Sequence, residues 1–181
     1  HTTSNAAVTY ENITGLSVDA VTFLNTQDPE AKFALVLSSN DTLNGYSGDD
    51  HLNGYGGADA MKGGDGNDHY VVDHHGDVVT ETANAVDSYS DSVSTTLSAY
   101  VLPDNVEYLY FNGTGSFLGF GNGGNNIIAG GTSGDELHGG AGKDYLIGYG
   151  GADTLVGGTG DDSYEIDSLD VVVEAAGEGH D

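Results

Sequence analysis

The chain has very little with which to neutralise itself. Of its 181 residues only 3 are Lys or Arg, against 29 Asp or Glu, and the formal net charge is −26. A surface of that sign repels nucleic acid and anionic membranes, so neither is an expected partner. Cysteine is absent, so no disulfide can staple the fold, and cysteine usage says nothing about redox compartment. Long apolar runs are absent too. The longest, Ala31 to Leu37, contains Lys32 and falls far short of a membrane span, so insertion is not expected. No charged-then-apolar leader follows His1, which leaves a signal peptide removed, located elsewhere or absent. Neither a GxSxG nor an HExxH string occurs, and no enzyme is expected.

What is present is 37% hydrophobic residues, with 11 Tyr, enough for a core once the repulsion is relieved. Three basic side chains cannot relieve it through internal ion pairs, whereas bound divalent metal can. The chain also repeats itself every nine residues, in two blocks. The first block reads VLSSNDTLN from Val36, GYSGDDHLN from Gly45, GYGGADAMK from Gly54 and GGDGNDHYV from Gly63. The second reads GNGGNNIIA from Gly121, GGTSGDELH from Gly130, GGAGKDYLI from Gly139, GYGGADTLV from Gly148 and GGTGDDSYE from Gly157. Position six is Asp41, Asp50, Asp59 and Asp68, then Asn126, Asp135, Asp144, Asp153 and Asp162. Position eight is always large and apolar or aromatic, from Leu43, Leu52, Met61 and Tyr70 to Ile128, Leu137, Leu146, Leu155 and Tyr164.

An apolar period of nine fits neither a helix face nor a simple alternating strand, so each unit must turn back and stack on its neighbours as a solenoid. Glycines at positions one, two and four are read as permitting φ > 0 in a tight turn and as letting carbonyls converge on an ion. The last three residues of each frame are then a short strand, with position eight inward and positions seven and nine outward.

The frames GGDGNDHYV and GGTGDDSYE resemble the GGxGxDxUx nonapeptide of RTX (repeats-in-toxin, hemolysin-type) proteins. The resemblance implies an all-β fold, a parallel β-roll or β-solenoid in which two nonapeptides make one coil and each frame stacks on the next but one. It also implies calcium between stacked frames, held by hard oxygen ligands. By that pattern the ions take carbonyls from positions two and four of the lower frame, carbonyls from positions one and three of the upper, and the Asp of both.

Carried onto this chain, the pattern pairs Asp41 with Asp59, using the carbonyls of Leu37, Ser39, Gly54 and Gly56, and Asp50 with Asp68, using those of Tyr46, Gly48, Gly63 and Asp65. In the second block it pairs Asn126 with Asp144, through Asn122, Gly124, Gly139 and Ala141, and Asp135 with Asp153, through Gly131, Ser133, Gly148 and Gly150. Asp144 pairs with Asp162 through Gly140, Gly142, Gly157 and Thr159. Two further pairs extend the pattern where it decays, Asp59 with Asp77 and Asp153 with Asp170. About five to seven calcium ions would offset around half of the negative charge. The frame VLSSNDTLN lacks glycine and Asn126 lacks a charge, so these two end sites are expected to bind more weakly.

Four regions are expected: an N-terminal cap over 1–35, the first block over 36–82, a β-solenoid linker over 83–120, and the second block with the start of a further linker over 121–181. Asp28-Pro29-Glu30 predicts a short helix capping the open end of the roll, with a further helical turn from Ser17 to Leu24. In the linker, polar residues alternate with Val93, Leu97, Val106, Leu109, Phe111, Phe117 and Leu118, which predicts strands continuing the solenoid. A longer repeat sets Asp68 against Asp162 and Asp87 against Asp181, which implies that the chain is a piece of a longer tandem protein.

The function expected is a noncatalytic calcium-binding module, secreted or on the cell surface of a bacterium, exported unfolded by type I secretion and folding on calcium outside the cell. A second reading is a carbohydrate-binding or adhesive module with a polysaccharide or cell surface as partner, motivated by Tyr46, Tyr55 and Tyr149 at position two. A third is the stabilising tail of a secreted hydrolase or epimerase. A zinc site at His74 and His75 or at His51 and His69 is disfavoured, because no Cys assists and adjacent His residues seldom converge on one ion.

Overall fold

The computed structural model describes residues 40–82, 90–174 and 179. The expected cap over 1–35 with its helices, the carbonyls of Leu37 and Ser39, and Asp87 and Asp181 lie outside these residues. Fifteen short strands and no helix make up the described chain. The first block supplies β1 (Thr42–Ser47), β2 (His51–Asn53), β3 (Ala60–Asp65), β4 (His69–Val72) and β5 (Val78–Thr80). Then follow β6 (Ser92–Thr95), β7 (Ala99–Val101), β8 (Tyr108–Phe111) and β9 (Leu118–Phe120). The second block supplies β10 (Ile127–Ala129), β11 (Glu136–Ala141), β12 (Tyr145–Ile147), β13 (Thr154–Thr159), β14 (Ser163–Glu165) and β15 (Val171–Val173).

Every strand pair is parallel, and each strand pairs with the next but one in sequence. The even-numbered strands form one unbroken seven-stranded sheet, β2-β4-β6-β8-β10-β12-β14. The odd-numbered strands form the opposite face as two sheets, β1-β3-β5 and β7-β9-β11-β13-β15, with a break between β5 and β7. The fold is a parallel β-solenoid. Within the blocks the register is 18 residues, two nonapeptides, as the Asp41–Asp59 and Asp144–Asp162 hydrogen bonds show. Between them the coil lengthens to 23 residues from Asp68 to Asp91 and shortens to 16 from Asp91 to Glu107.

The register follows from the apolar period. Position eight stacks on position eight, giving the column Leu52, Tyr70, Val93, Leu109, Ile128, Leu146 and Tyr164 across the continuous sheet. Leu43, Met61 and Val79 form one opposite column, and Leu137 and Leu155 lie in the other. All are buried except Tyr164, which packs partly buried at the edge of the core. Sliding one strand by a residue would turn this apolar set out to water, so the register is strongly specified.

Linker residues 92–120 form strands within the same two faces. Val93, Val106, Leu109, Phe111 and Phe117 are buried, whereas Leu118 is half-buried. Gly119 faces inward instead, because Phe117 reaches into the core and stacks on Phe111 at 4.5 Å, nearly parallel. A Cβ on Gly119 would lie 2.7 Å from the Phe117 ring. Ala129 is a second departure from simple alternation, since this position-nine residue is buried.

Candidate metal centres

Each position-six side chain sits in the turn just before a strand, and its place is held by one repeated hydrogen bond. The backbone N–H of a lower-coil residue donates to Oδ1 of the Asp one coil above: Asp41 to Asp59, Asp50 to Asp68 and Asp144 to Asp162 at 2.8 Å, Asn126 to Asp144 and Asp135 to Asp153 at 2.7 Å. All five stacked pairs of the sequence reading are thus brought together. At four of the ladder carboxylates the second oxygen has no donor. Oδ2 of Asp50, Asp68, Asp144 and Asp153 is buried and accepts nothing from the protein.

An anionic oxygen in that position is costly unless a cation meets it. Burial accordingly pushes the carboxyls up in this metal-free fold: Asp68 and Asp144 each to about 6, with Asp50, Asp59 and Asp153 raised as well. Neighbouring carboxylates add to the effect, Asp49 on Asp50 and Asp162 on Asp144. No basic side chain answers it. Among the described residues Lys62 lies exposed on β3, and Lys143 pairs across the outer surface with Asp161 at 2.8 Å.

The carbonyls converge on the same layer. A Cβ on Gly140, Gly142 or Gly151 would stand 2.6 Å from the lower-coil carbonyl oxygens of Asn122, Gly124 and Ser133, and one on Gly158 or Gly66 would collide with those of Gly140 and Gly48. Upper-coil position-one carbonyls point down likewise: Gly63 O would lie 2.7 Å from a Cβ on Gly45, Gly157 O 2.6 Å from one on Gly139 and Gly148 O 3.3 Å from one on Gly130, while Gly139 O would collide with one on Gly121. Position three is more committed to the fold, because Asp65 O accepts from Gly48 N at 2.5 Å and Thr159 O from Gly142 N at 2.8 Å. Ala141 N and Gly150 N reach the carbonyls of Asn122 and Gly131 at 3.4 Å. Tyr46 takes part through backbone pairing with Gly64, and Gly56 has open space where a Cβ would be.

The glycines divide by cause, which corrects the single reason read from the sequence. Position four carries positive φ in most frames, as at Gly48 (99°), Gly142 (118°) and Gly160 (136°). Position two carries it in several frames with or without glycine, since Gly140 lies at 112° while Tyr55 and Tyr149 lie at 63°. Position one does not have positive φ. There a side chain is excluded by the frame's own carboxylate: a Cβ on Gly45 would stand 2.5 Å from Asp50 Oδ2, and one on Gly54 or Gly148 would collide with Asp59 or Asp153.

The pattern ends differently at Asp77, Asp170, Asn126 and Asp135. Asp77 takes the Asp59 N–H on Oδ1 and those of Asp73 and His74 on Oδ2, at 3.0, 3.1 and 3.0 Å. Asp170 takes the Asp153 N–H at 3.1 Å and that of Asp167 at 2.6 Å. The Asn126 amide accepts from Asn122 N at 2.8 Å and donates to Val106 O at 3.1 Å. Asp135 accepts from Phe117 N at 2.8 Å and Gly131 N at 2.5 Å. In each, backbone groups already satisfy both polar atoms.

The family model of the RTX calcium-binding nonapeptide repeat matches the chain in four copies, over residues 37–70, 120–155 and 130–164. These two blocks of the chain are RTX calcium-binding nonapeptide repeats. No curated protein matches it. The RTX blocks account for the buried Asp ladders, but two features lie outside what the nonapeptide reading foresaw. One is a second ladder at position five, where Asn40, Asp49 and Asn125 accept on Oδ1 from the N–H of Ala58, Asn67 and Lys143 at 2.8, 2.9 and 2.8 Å. Its signal was available as Asn or Asp recurring one residue before position six. The other is Asp91, buried in the linker and bonded into the Asp column by Asp68 N at 2.7 Å. No nine-residue phase points to it. His51 and His69 stack on the outer face at 4.9 Å, and His69 Nδ1 contacts Ser92 Oγ at 2.8 Å, with no carboxylate among these contacts.

Proposed function

We propose that this RTX β-roll is a noncatalytic module that binds calcium between stacked frames and folds on doing so, in an extracellular or cell-surface setting. The observation that carries the reading is the set of buried Asp Oδ2 atoms with no donor, in a chain of net charge −26. The stacked pairs Asp50/Asp68, Asn126/Asp144, Asp135/Asp153 and Asp144/Asp162 each hold such an oxygen, and Asp41/Asp59 repeats their stacking hydrogen bond, giving five sites. Asp77 and Asp170, whose oxygens already accept backbone N–H groups, extend the ladder as two weaker sites at the block ends. Calcium supplies charge that the protein lacks, so binding free energy is folding free energy. Extracellular calcium modules typically have dissociation constants of about 10⁻⁴ to 10⁻³ M, which would leave the chain empty in a cytosol and filled after export by type I secretion.

A calcium titration followed by circular dichroism tests this. The expected result, above pH 7, is a chain without β structure in excess chelator that gains it cooperatively on adding calcium. A spectrum already β-rich in chelator and unmoved by calcium would reject coupled folding.

One observation favours glycan binding as a second activity. Tyr108, Tyr110 and Tyr145 stand half-buried on the outer face of the continuous sheet, Tyr108 and Tyr110 with rings 6.1 Å apart, and Tyr149 is 58% exposed. Aromatic faces of this kind stack on sugars. Absence of binding on a glycan array in calcium would end this reading.

A further inference from the structure

The 23-residue coil that joins the first block to the linker contains the one set of three His, Cys, Asp or Glu side chains, among the described residues, whose ligand atoms all lie within 4.8 Å of one another. They are Asp68, Glu81 and Asp91. Asp68 precedes β4, Asp91 precedes β6, and Glu81 follows β5 from the opposite face. The Asp68 N–H donates to Asp91 Oδ1 at 2.7 Å, so the two carboxylates keep the ladder geometry of the blocks although the nine-residue phase is lost. Glu81 is held in place independently. Its Oε1 accepts from Gly64 N at 3.2 Å and Thr82 N at 2.7 Å, and its Oε2 accepts from the Tyr70 hydroxyl.

A cluster of carboxylates alone would mean little, but two of these oxygens are buried and have no donor. Asp68 Oδ2 and Asp91 Oδ2 accept nothing from the protein, and both residues are 1% exposed. Among the described residues no Lys, Arg or His side chain is hydrogen-bonded to any of the three. A proton can satisfy one oxygen. Three acidic groups facing one another call for a cation, and an all-oxygen donor set suits a hard divalent ion rather than zinc or copper.

We propose that Asp68, Glu81 and Asp91 form a calcium site where the first block meets the linker, in which Glu81 supplies the ligation that a glycine turn supplies elsewhere. The ion ties the first linker coil to block one at the level where the opposite face breaks between β5 and β7. Calcium-dependent order thereby extends beyond the nonapeptides into a segment that lacks their nine-residue phase. The arrangement recurs at the end of block two. A Cβ on Gly157 would meet Asp162 Oδ2, Tyr164 Oη and Glu174 Oε1, as one on Gly63 would meet Asp68 Oδ2 and Tyr70 Oη.

The proposal is independent of the count of ions in the blocks, and crystals of the whole chain soaked in terbium test both. An anomalous peak within about 2.3 to 2.6 Å of all three carboxylates is the expected result. Peaks in the blocks with none here would overturn this site, whereas a peak here with none in the blocks would overturn the block reading and leave this site standing. Equilibrium dialysis with calcium gives a second readout. Glu81→Gln and Asp91→Asn should each bind one ion fewer per chain than the wild type, or bind it at least tenfold more weakly. An unchanged count and affinity would mean that a proton, not a metal, resides there. Should Asp91→Asn fail to fold in calcium, Glu81→Gln, whose amide oxygen still accepts a backbone N–H, and the wild-type crystal decide the matter.

Discussion

At position one of the frames that begin with glycine, that residue is demanded by a neighbour rather than by a dihedral angle. A Cβ on Gly139 would stand 2.6 Å from Gly157 O and 2.8 Å from Asp144 Cβ, and both belong to the candidate calcium layer. Gly139→Ala should therefore cost about 1–3 kcal/mol, the usual range for overpacking, and weaken calcium binding as well. Thermal unfolding at fixed calcium measures the first and dialysis the second. The carboxyls themselves set a pH dependence. In the metal-free fold Asp68 and Asp144 lie at about 6 and Asp91 at about 7, against 3.8 when unperturbed. The folded form binds these protons more tightly than the unfolded one, so their stabilisation is complete below about pH 4 and disappears as the pH rises through 6 and 7. In chelator, β content followed by circular dichroism should fall from pH 4 to pH 8. A rise over that range would contradict the burial of unpaired carboxylates. Calcium should reverse the trend, because the ion needs the ionised form and is displaced by acid.

Among the strands, position eight carries the core and its neighbours do not. Leu146 on β12 is fully buried in the column between Ile128 and Tyr164, while Ile147 beside it is half-buried on the outer face. Leu146→Ala should cost 2–5 kcal/mol, roughly the range for a core leucine, and Ile147→Ala clearly less; chemical denaturation in saturating calcium distinguishes them. This much was legible in the sequence, because an apolar residue at a fixed place in every frame has only one way to stack. The linker strands were legible as alternation, yet their register was not. Whether Phe117 or Leu118 turns inward depends on the space Phe111 leaves, and Gly119 becomes the inward residue of β9 only as a result. Burial of Ala129 was likewise beyond a rule of alternating faces.

Across the molecule, the dominant energetic problem is a charge of −26 with 3 basic side chains. Metal that binds only the folded form stabilises it by mass action, by about 1.4 kcal/mol per site for each tenfold rise in free calcium above its dissociation constant. The melting temperature should climb steadily with the logarithm of calcium concentration, with a slope equivalent to several ions. A plateau after the first equivalents, or a slope matching a single ion, would contradict a ladder of sites. Magnesium should substitute poorly, since it demands near-ideal octahedral geometry and sheds water reluctantly. The amino-acid sequence by itself determined the position-eight core column and the shortage of balancing cations, because period and composition are local properties of the chain, while the two-frame coil and the stacked Asp pairs were read from the RTX resemblance. Only the tertiary structure decided which carboxylate oxygens are left without a donor, that Asp77 and Asp170 accept N–H groups from their own loops, and that Asp91 and Glu81 join Asp68. Those outcomes depend on how a 23-residue coil folds back on an 18-residue one, and residues that far apart meet for reasons no local pattern records.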